Sequence, residues 1–203
     1  MTKETKFIAL SGKKQCGKDT IASMLKEKLE ASGVSVEIDY FARPLKEFCI
    51  TVLGLERELV YGSNDDKNML THIKWGGMPH YLTMVGHKDC PDDSSLMTVR
   101  EVLQHVGTNV VRCMDDNAWA RAPFRTQREV DVVILADCRF PNEKQWTERN
   151  GGVTIRVERD TGFEDDHPSE TALDDADFQI RYNNNGTLEE LEQFVDSLIN
   201  QIV

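Results

Sequence analysis

Apolar and polar positions along this chain follow two rhythms, a period near two and a period near three and a half, and the changes between them mark strands and helices. Lys6-Phe7-Ile8-Ala9-Leu10 reads as a short buried strand. A helix begins near Asp19, repeats Ile21, Leu25 and Leu29 on one face, and is stopped by Gly33. Residues 34–38 alternate as a second strand, and Pro44 opens a helix that runs to Leu53. From Thr98, the apolar residues Val99, Val102, Leu103, Val106 and Val110 predict one amphipathic helix. Residues 130–136 are almost continuously apolar, as a central parallel strand requires. Pro141 starts the next helix and Gly151-Gly152 ends it. Strands at 153–157 and 178–182 follow. The last helix carries Leu188, Leu191, Val195, Leu198, Ile199 and Ile202 on one face. Strands alternating with helices predict an α/β fold, a parallel sheet with helices on both faces.

Composition narrows the partners. The 203 residues suit one domain, and no internal repeat interrupts them. The stretch at about 62–97 is polar and rich in Gly, Asp and Asn, and reads as an insert. No apolar run approaches the ~18 residues of a membrane span, and the N-terminal residues lack a signal-peptide core. The expectation is a cytoplasmic protein with no membrane partner. The net charge is −11, from 24 basic and 35 acidic residues, which disfavours a nucleic-acid polymer. A small phosphorylated ligand fits if cations are concentrated locally. Five cysteines, odd in number and scattered, make no disulfide framework. His80, His87 and Cys90 lack a fourth ligand and a zinc spacing, and read as loop residues.

Local cations are found at Gly12-Lys13-Lys14-Gln15-Cys16-Gly17-Lys18, which matches G-x-x-x-x-G-K between a predicted strand and a predicted helix. Glycines let successive N–H groups face one concavity, the helix N-terminus adds partial positive charge, and Lys18 reaches β- and γ-phosphate oxygens. This predicts a P-loop NTPase fold. Asp19 stands where Ser or Thr usually follows the lysine, with Thr20 next. Asp19 either ligates Mg²⁺ as a hard carboxylate or supports the helix N-terminus, and the two roles are compatible. Asp137 closes the most apolar strand, at the edge where open α/β sheets bind ligands. It reads as a second Mg²⁺ anchor or as a cap for the helix at Pro141. Arg139 follows it. Arg156 and Arg159 precede a lid-like loop at about 159–170, where paired arginines clamp a transferring phosphoryl group or simply end a strand in solvent.

Five blocks in order resemble bacteriophage-type deoxynucleoside monophosphate kinases. The phosphate loop ends Gly17-Lys18-Asp19-Thr20. Phe41-Ala42-Arg43-Pro44-Leu45-Lys46 resembles the monophosphate-side segment. Residues 100–108, from Arg100 through Gln104 to Thr108 with Trp119 beyond, resemble the substrate helix. Asp137-Cys138-Arg139-Phe140-Pro141-Asn142-Glu143 resembles the acid-arginine motif. His167-Pro168-Ser169-Glu170 and Asn184-Asn185-Gly186-Thr187 resemble the lid and the adenine-side ending. The resemblance implies a single nucleoside monophosphate kinase-like domain over residues 1–203, and the reaction ATP plus dNMP to ADP plus dNDP with Mg²⁺. It places Arg100 and Gln104 against the monophosphate, Arg139 near the phosphates, His167 and Glu170 at the lid, and Asn184, Asn185 and Gly186 near adenine. If the chain is phage-encoded, its compartment is the host cytoplasm. Arg43 and Asn109 stand where family members often carry acids, so substrate preference is open, as is a homodimer. Two alternatives remain at this stage: another P-loop small-metabolite kinase, such as one for a coenzyme A precursor, and a non-catalytic nucleotide-dependent switch.

Overall fold

The computed structural model describes residues 5–78, 91–160, 162 and 171–202. They form two compact units, Met1–Phe41 with Ala120–Val203, and Ala42–Trp119.

The first unit holds a five-stranded sheet of β1 (Lys6–Ser11), β2 (Val36–Asp39), β5 (Val132–Cys138), β6 (Val153–Glu158) and β7 (Ile180–Asn183), in the order β2-β5-β1-β6-β7. Every neighbouring pair in it is parallel. Period-two alternation separates its faces. Ile8, Leu10, Ile134, Ala136, Ile155 and Val157 meet Ile21, Leu25 and Leu29 of α1 (Lys18–Ala31) and Leu191, Val195 and Leu198 of α8 (Leu188–Ile202). Ala9, Val133 and Leu135 face the opposite way, onto Phe41, Leu173 and Phe178, with Phe7 and Phe124 beside them. α7 (Pro141–Arg149) runs from β5 to β6. Each fully buried Leu or Ile contributes about 1.5–3 kcal/mol, so both faces of the sheet hold it in place. This is the predicted α/β architecture, a parallel sheet covered on both faces.

One irregularity matters for the site. Ala9 pairs with Leu135, but Ser11 pairs with Cys138, so β5 carries one extra residue at its C-terminal end. Alternation breaks there: Cys138 packs with the Leu135 face rather than with Ala136. Such shifts re-aim side chains next to active sites. Here the residue affected is Asp137.

The second unit is built from α2 (Arg43–Thr51), α3 (Arg57–Tyr61), α4 (Asn64–Lys67), the antiparallel pair β3 (Leu70–Lys74) and β4 (Leu96–Thr98), and α5 (Val99–Gln104). Its core gathers Cys49, Leu55, Val60, Met97, Val99, Val102 and Val106. Among the described residues, the segment at 62–97, whose composition suggested a polar insert, holds α4, β3, a 3-10 turn at Trp75–Gly77 and the start of β4. The single helix expected from Thr98 is also different. It is α-helical only to Gln104 and continues as a wider π-helix over His105–Arg112. α6 (Ala118–Arg125) follows.

Candidate active site

The turn from β1 to α1 has the backbone that the glycine spacing demands. Gly12 and Gly17 have φ of 152° and 101°, and Gln15 is left-handed at 65°. A side chain at Gly12 would overlap the Val157 carbonyl, and one at Gly17 would overlap the Asn184 amide nitrogen. Only glycine fits either place. Lys18 is 8% exposed. Its Nζ donates to the carbonyls of Gly12 (2.6 Å) and Lys13 (2.8 Å) and lies 3.6 Å from Cys16 Sγ. The ammonium is therefore held across the loop it follows. Lys14, Gln15, Asp19 and Thr20 are exposed at its rim. Gly17 caps α1 with backbone alone, and the Asp19 carboxylate sits in the first turn, where the helix dipole favours it.

Asp137 lies on β5, the strand beside β1. Its Oδ1 accepts the Phe41 N–H at 2.6 Å. Tyr40 records where the acids are. Burial first, then the carboxylates of Asp19, Asp137 and Asp39, hold its phenol above the ordinary value. Asp19 and Asp137 thus act on one spot at the sheet edge. Among the described residues, no group of three or more His, Cys, Asp or Glu side chains is arranged to hold a metal. Oxygen donors from one or two carboxylates, completed by phosphate oxygens and water, are what Mg²⁺ prefers, so Asp19, Thr20 and Asp137 fit that ion.

The arginines differ sharply. Arg156 is 6% exposed; it donates to Ser11 Oγ (3.1 Å) and Asp174 Oδ1 (2.5 Å), while its Nε has no hydrogen-bond partner among the described residues. Asp174 also meets Lys13 at 3.5 Å. Arg159 is exposed and lines two clefts. One, of about 290 Å³, also has Lys13, Arg156 and Asp174 on its wall. The other, of about 270 Å³, is bounded by Gly17, Thr20, Asn184, Gly186, Thr187 and Leu191. Arg139 is placed by its backbone, since Glu143, only 3% exposed, accepts the N–H groups of Arg139 (2.7 Å) and Phe140 (3.0 Å). Asn185 Oδ1 accepts the Asp160 N–H at 2.9 Å.

Phe41, expected on the monophosphate side, is 2% exposed and packs in the core beside Phe124. Its N–H is taken by Asp137 Oδ1. The other residues expected on the acceptor side belong to the second unit, with His167 and Glu170 excepted. Arg100 donates from Nε to Asn68 and from a terminal nitrogen to Asn64, both at 3.1 Å, which ties α5 to α4. Gln104 and Thr108 are exposed. Lys46 stands 4.7 Å over the Tyr61 ring, and Arg43 adds positive potential near Glu47. Trp119 is half-buried and donates from Nε1 to the Gly107 carbonyl at 3.0 Å. His167 and Glu170, with most of the lid-like loop, lie outside the described residues.

Sequence reasoning gave no role to Ser11 and Glu143, which stand inside the motifs it recognised, and none to Asp39, Arg128 and Asp174. Arg128 pairs with Asp39 and with Glu37 (2.6 Å), which joins the end of β2 to the segment before β5. Asp39 carried a usable signal, an acid at the C-terminal end of a strand, as at Asp137. Arg128 and Asp174 carried none, because they stand in polar segments without period.

Comparison with known proteins bears on this site. The family model for "Deoxynucleotide monophosphate kinase" matches residues 86–195. A protein of Acanthamoeba polyphaga mimivirus, named "Putative deoxynucleotide monophosphate kinase", is 30% identical over 211 residues, covering 95% of each chain. Among solved structures, the Mycobacterium tuberculosis APS kinase CysC in complex with AMPPNP and APS is 12% identical, with 97% and 98% of the two chains covered and a TM-score of 0.40. A mutant of the same kinase gives 14%, the same coverage and 0.41. Likenesses this distant set no substrate and no residue role. Among the described residues, no helix is long and apolar enough to cross a membrane.

Proposed function

Because this chain belongs to the deoxynucleotide monophosphate kinase family, and is thus a phosphotransferase acting on nucleotides, we propose that it transfers the γ-phosphoryl group of ATP to a deoxynucleoside monophosphate, giving dNDP and ADP. The observation that carries this reading is the positive-φ loop at 12–17 with Lys18 across it, placed beside Asp137 on the adjacent strand.

The donor side follows from the first unit. Loop amides and Lys18 hold the β- and γ-phosphates, and the cleft beside Gly17, Gly186 and Leu191 takes the nucleoside end of ATP. Asp19, Thr20 and Asp137 would hold Mg²⁺, which would neutralise phosphate charge. Arg159, exposed between the two clefts, and Arg139 at the β5 edge meet the charge that spreads over the transferring group. Arg156 acts from within the sheet, through Ser11 and Asp174. On the acceptor side, Arg43, Lys46, Arg100, Gln104 and Thr108 of the second unit recognise the monophosphate nucleotide. A phosphate oxygen of the acceptor attacks the γ-phosphorus while the bond to the β-phosphate oxygen breaks, and ADP leaves with that oxygen. The acceptor is already anionic, so no strong base is needed.

The test is direct. Purified protein, Mg²⁺ and ATP are incubated with each dNMP and NMP separately, and ADP and diphosphate products are separated by chromatography. The expected result is equimolar ADP and dNDP with at least one dNMP. ADP release without any dNDP would overturn the reading.

A further inference from the structure

Asn184 stands in the turn between β7 and α8 and is 7% exposed. Its backbone N–H donates to the Glu158 carbonyl at 2.7 Å, which fastens the turn to the end of β6. Its side-chain Nδ2 donates to the Cys16 carbonyl at 2.8 Å, inside the protein. The same nitrogen occupies the space that a side chain at Gly17 would need. Two separate features, a buried hydrogen bond and a steric fit, thus join Asn184 to one peptide unit of the phosphate loop.

That peptide unit is the one linking Cys16 to Gly17. No cis bond is present among the described residues, and across a planar trans peptide the C=O and the following N–H point in opposite directions. A carbonyl held towards Asn184 turns the Gly17 N–H away from Asn184. Gly17 at φ 101° is free to rotate by more than any other residue type would allow. An unheld Cys16–Gly17 peptide would lose that orientation at low cost, and an anion site made of amides would lose one of them.

We propose that Asn184 is a positioning residue for phosphate binding: its amide fixes the Cys16–Gly17 peptide so that the Gly17 N–H is presented to the phosphates of the donor nucleotide. The inference rests on the kinase reading only in sharing its phosphate loop. It assigns Asn184 to the phosphates, where the family resemblance assigns it to adenine.

The test uses the full chain and three probes: MgATP, magnesium tripolyphosphate, which has no base, and adenosine, which has no phosphate. Asn184→Asp keeps the shape but replaces the donor with an acceptor against a carbonyl. Asn184→Ala removes the group. Calorimetric titration of each variant should show tripolyphosphate and ATP weakened together, by about tenfold, equivalent to about 1.4 kcal/mol, with adenosine unchanged. Weaker ATP and adenosine with unaltered tripolyphosphate would overturn the proposal in favour of an adenine contact. A lowered melting temperature with all three affinities unchanged, or failure of both variants to fold, would overturn it in favour of a plain structural tie. The kinase reading fails separately: wild-type protein that binds MgATP but phosphorylates no dNMP sinks that reading and leaves the Asn184 result standing.

Discussion

Three cations near the phosphate loop have three different surroundings, and each predicts a different mutational result. Lys18 is buried over backbone carbonyls that survive its removal. Lys18→Ala should fold, as circular dichroism would show, and lose several orders of magnitude in turnover. A folded variant with near-normal turnover would remove Lys18 from the mechanism. Arg156 is buried and forms an ion pair with Asp174. Asp174→Ala leaves a buried guanidinium uncompensated, and Asp174 itself is partly exposed, so the loss in urea denaturation should be about 1–3 kcal/mol. Arg159→Ala removes an exposed side chain. Its stability should stay within about 0.5 kcal/mol of wild type, and its effect should fall on kcat more than on ATP binding. Asp19 is tested by Mg²⁺ titration. Asp19→Ala should raise the Mg²⁺ concentration for half-maximal activity, Asp19→Ser should recover part of it, and Thr20→Val shows whether the neighbouring hydroxyl shares the ion. Unchanged titrations in all three would leave Asp137 as the anchor.

At the scale of elements, the second unit shows what local chemistry can and cannot specify. Thr98 and Glu101 form a capping box that fixes the start of α5. The helix then widens over His105–Arg112, and the Gly107 carbonyl is taken by the Trp119 indole. π-helical turns are rare and tend to occur at functional sites. Trp119→Phe leaves that carbonyl without its donor and should cost about 1–2 kcal/mol, with KM for the dNMP rising and KM for ATP unchanged. Gly107→Ala would push a methyl against Leu45 at 2.7 Å. α2 and α3 are joined by Glu47, which accepts from Arg57 at 2.9 and 2.6 Å and from Tyr61 at 2.7 Å. Hydrogen bonds from Arg57 and then Tyr61 lower the Glu47 carboxyl from 4.5 to about 2. A depressed folded value means that the clasp stabilises fully above about pH 4.5 and is lost as pH falls through 2. A carboxyl-carbon NMR titration should find Glu47 near 2 in the wild type and higher in Tyr61→Phe. An ordinary value in both would dissolve the clasp.

For the molecule as a whole, the acidic surface sets the class of partner. With a charge of −11, cations matter where they are concentrated, as at Lys13, Lys14 and Lys18. The protein should show no salt-sensitive binding to single-stranded or duplex DNA near physiological salt, measured by fluorescence anisotropy. Binding that weakens steeply with salt would contradict a small-nucleotide site.

The sequence by itself determined the elements whose physics is local. Apolar period marked β1, β5, α1 and α8; glycine spacing marked the phosphate loop, because only glycine tolerates its backbone. The acid at 137 was legible from its place after an apolar strand. Tertiary structure decided what depends on a second segment of chain. The extra residue in β5 becomes visible only against β1. Arg156 and Arg159 look alike in sequence, yet one is buried against Ser11 and the other faces solvent. The segment at 62–97 read only as a polar insert because its strands bury little on their own, and among the described residues β3 pairs with β4. Asn184 lies 168 residues from the carbonyl it holds. Long-range contacts of this kind leave no period in either partner, because a single hydrogen bond or ion pair constrains one residue on each side rather than a repeating face.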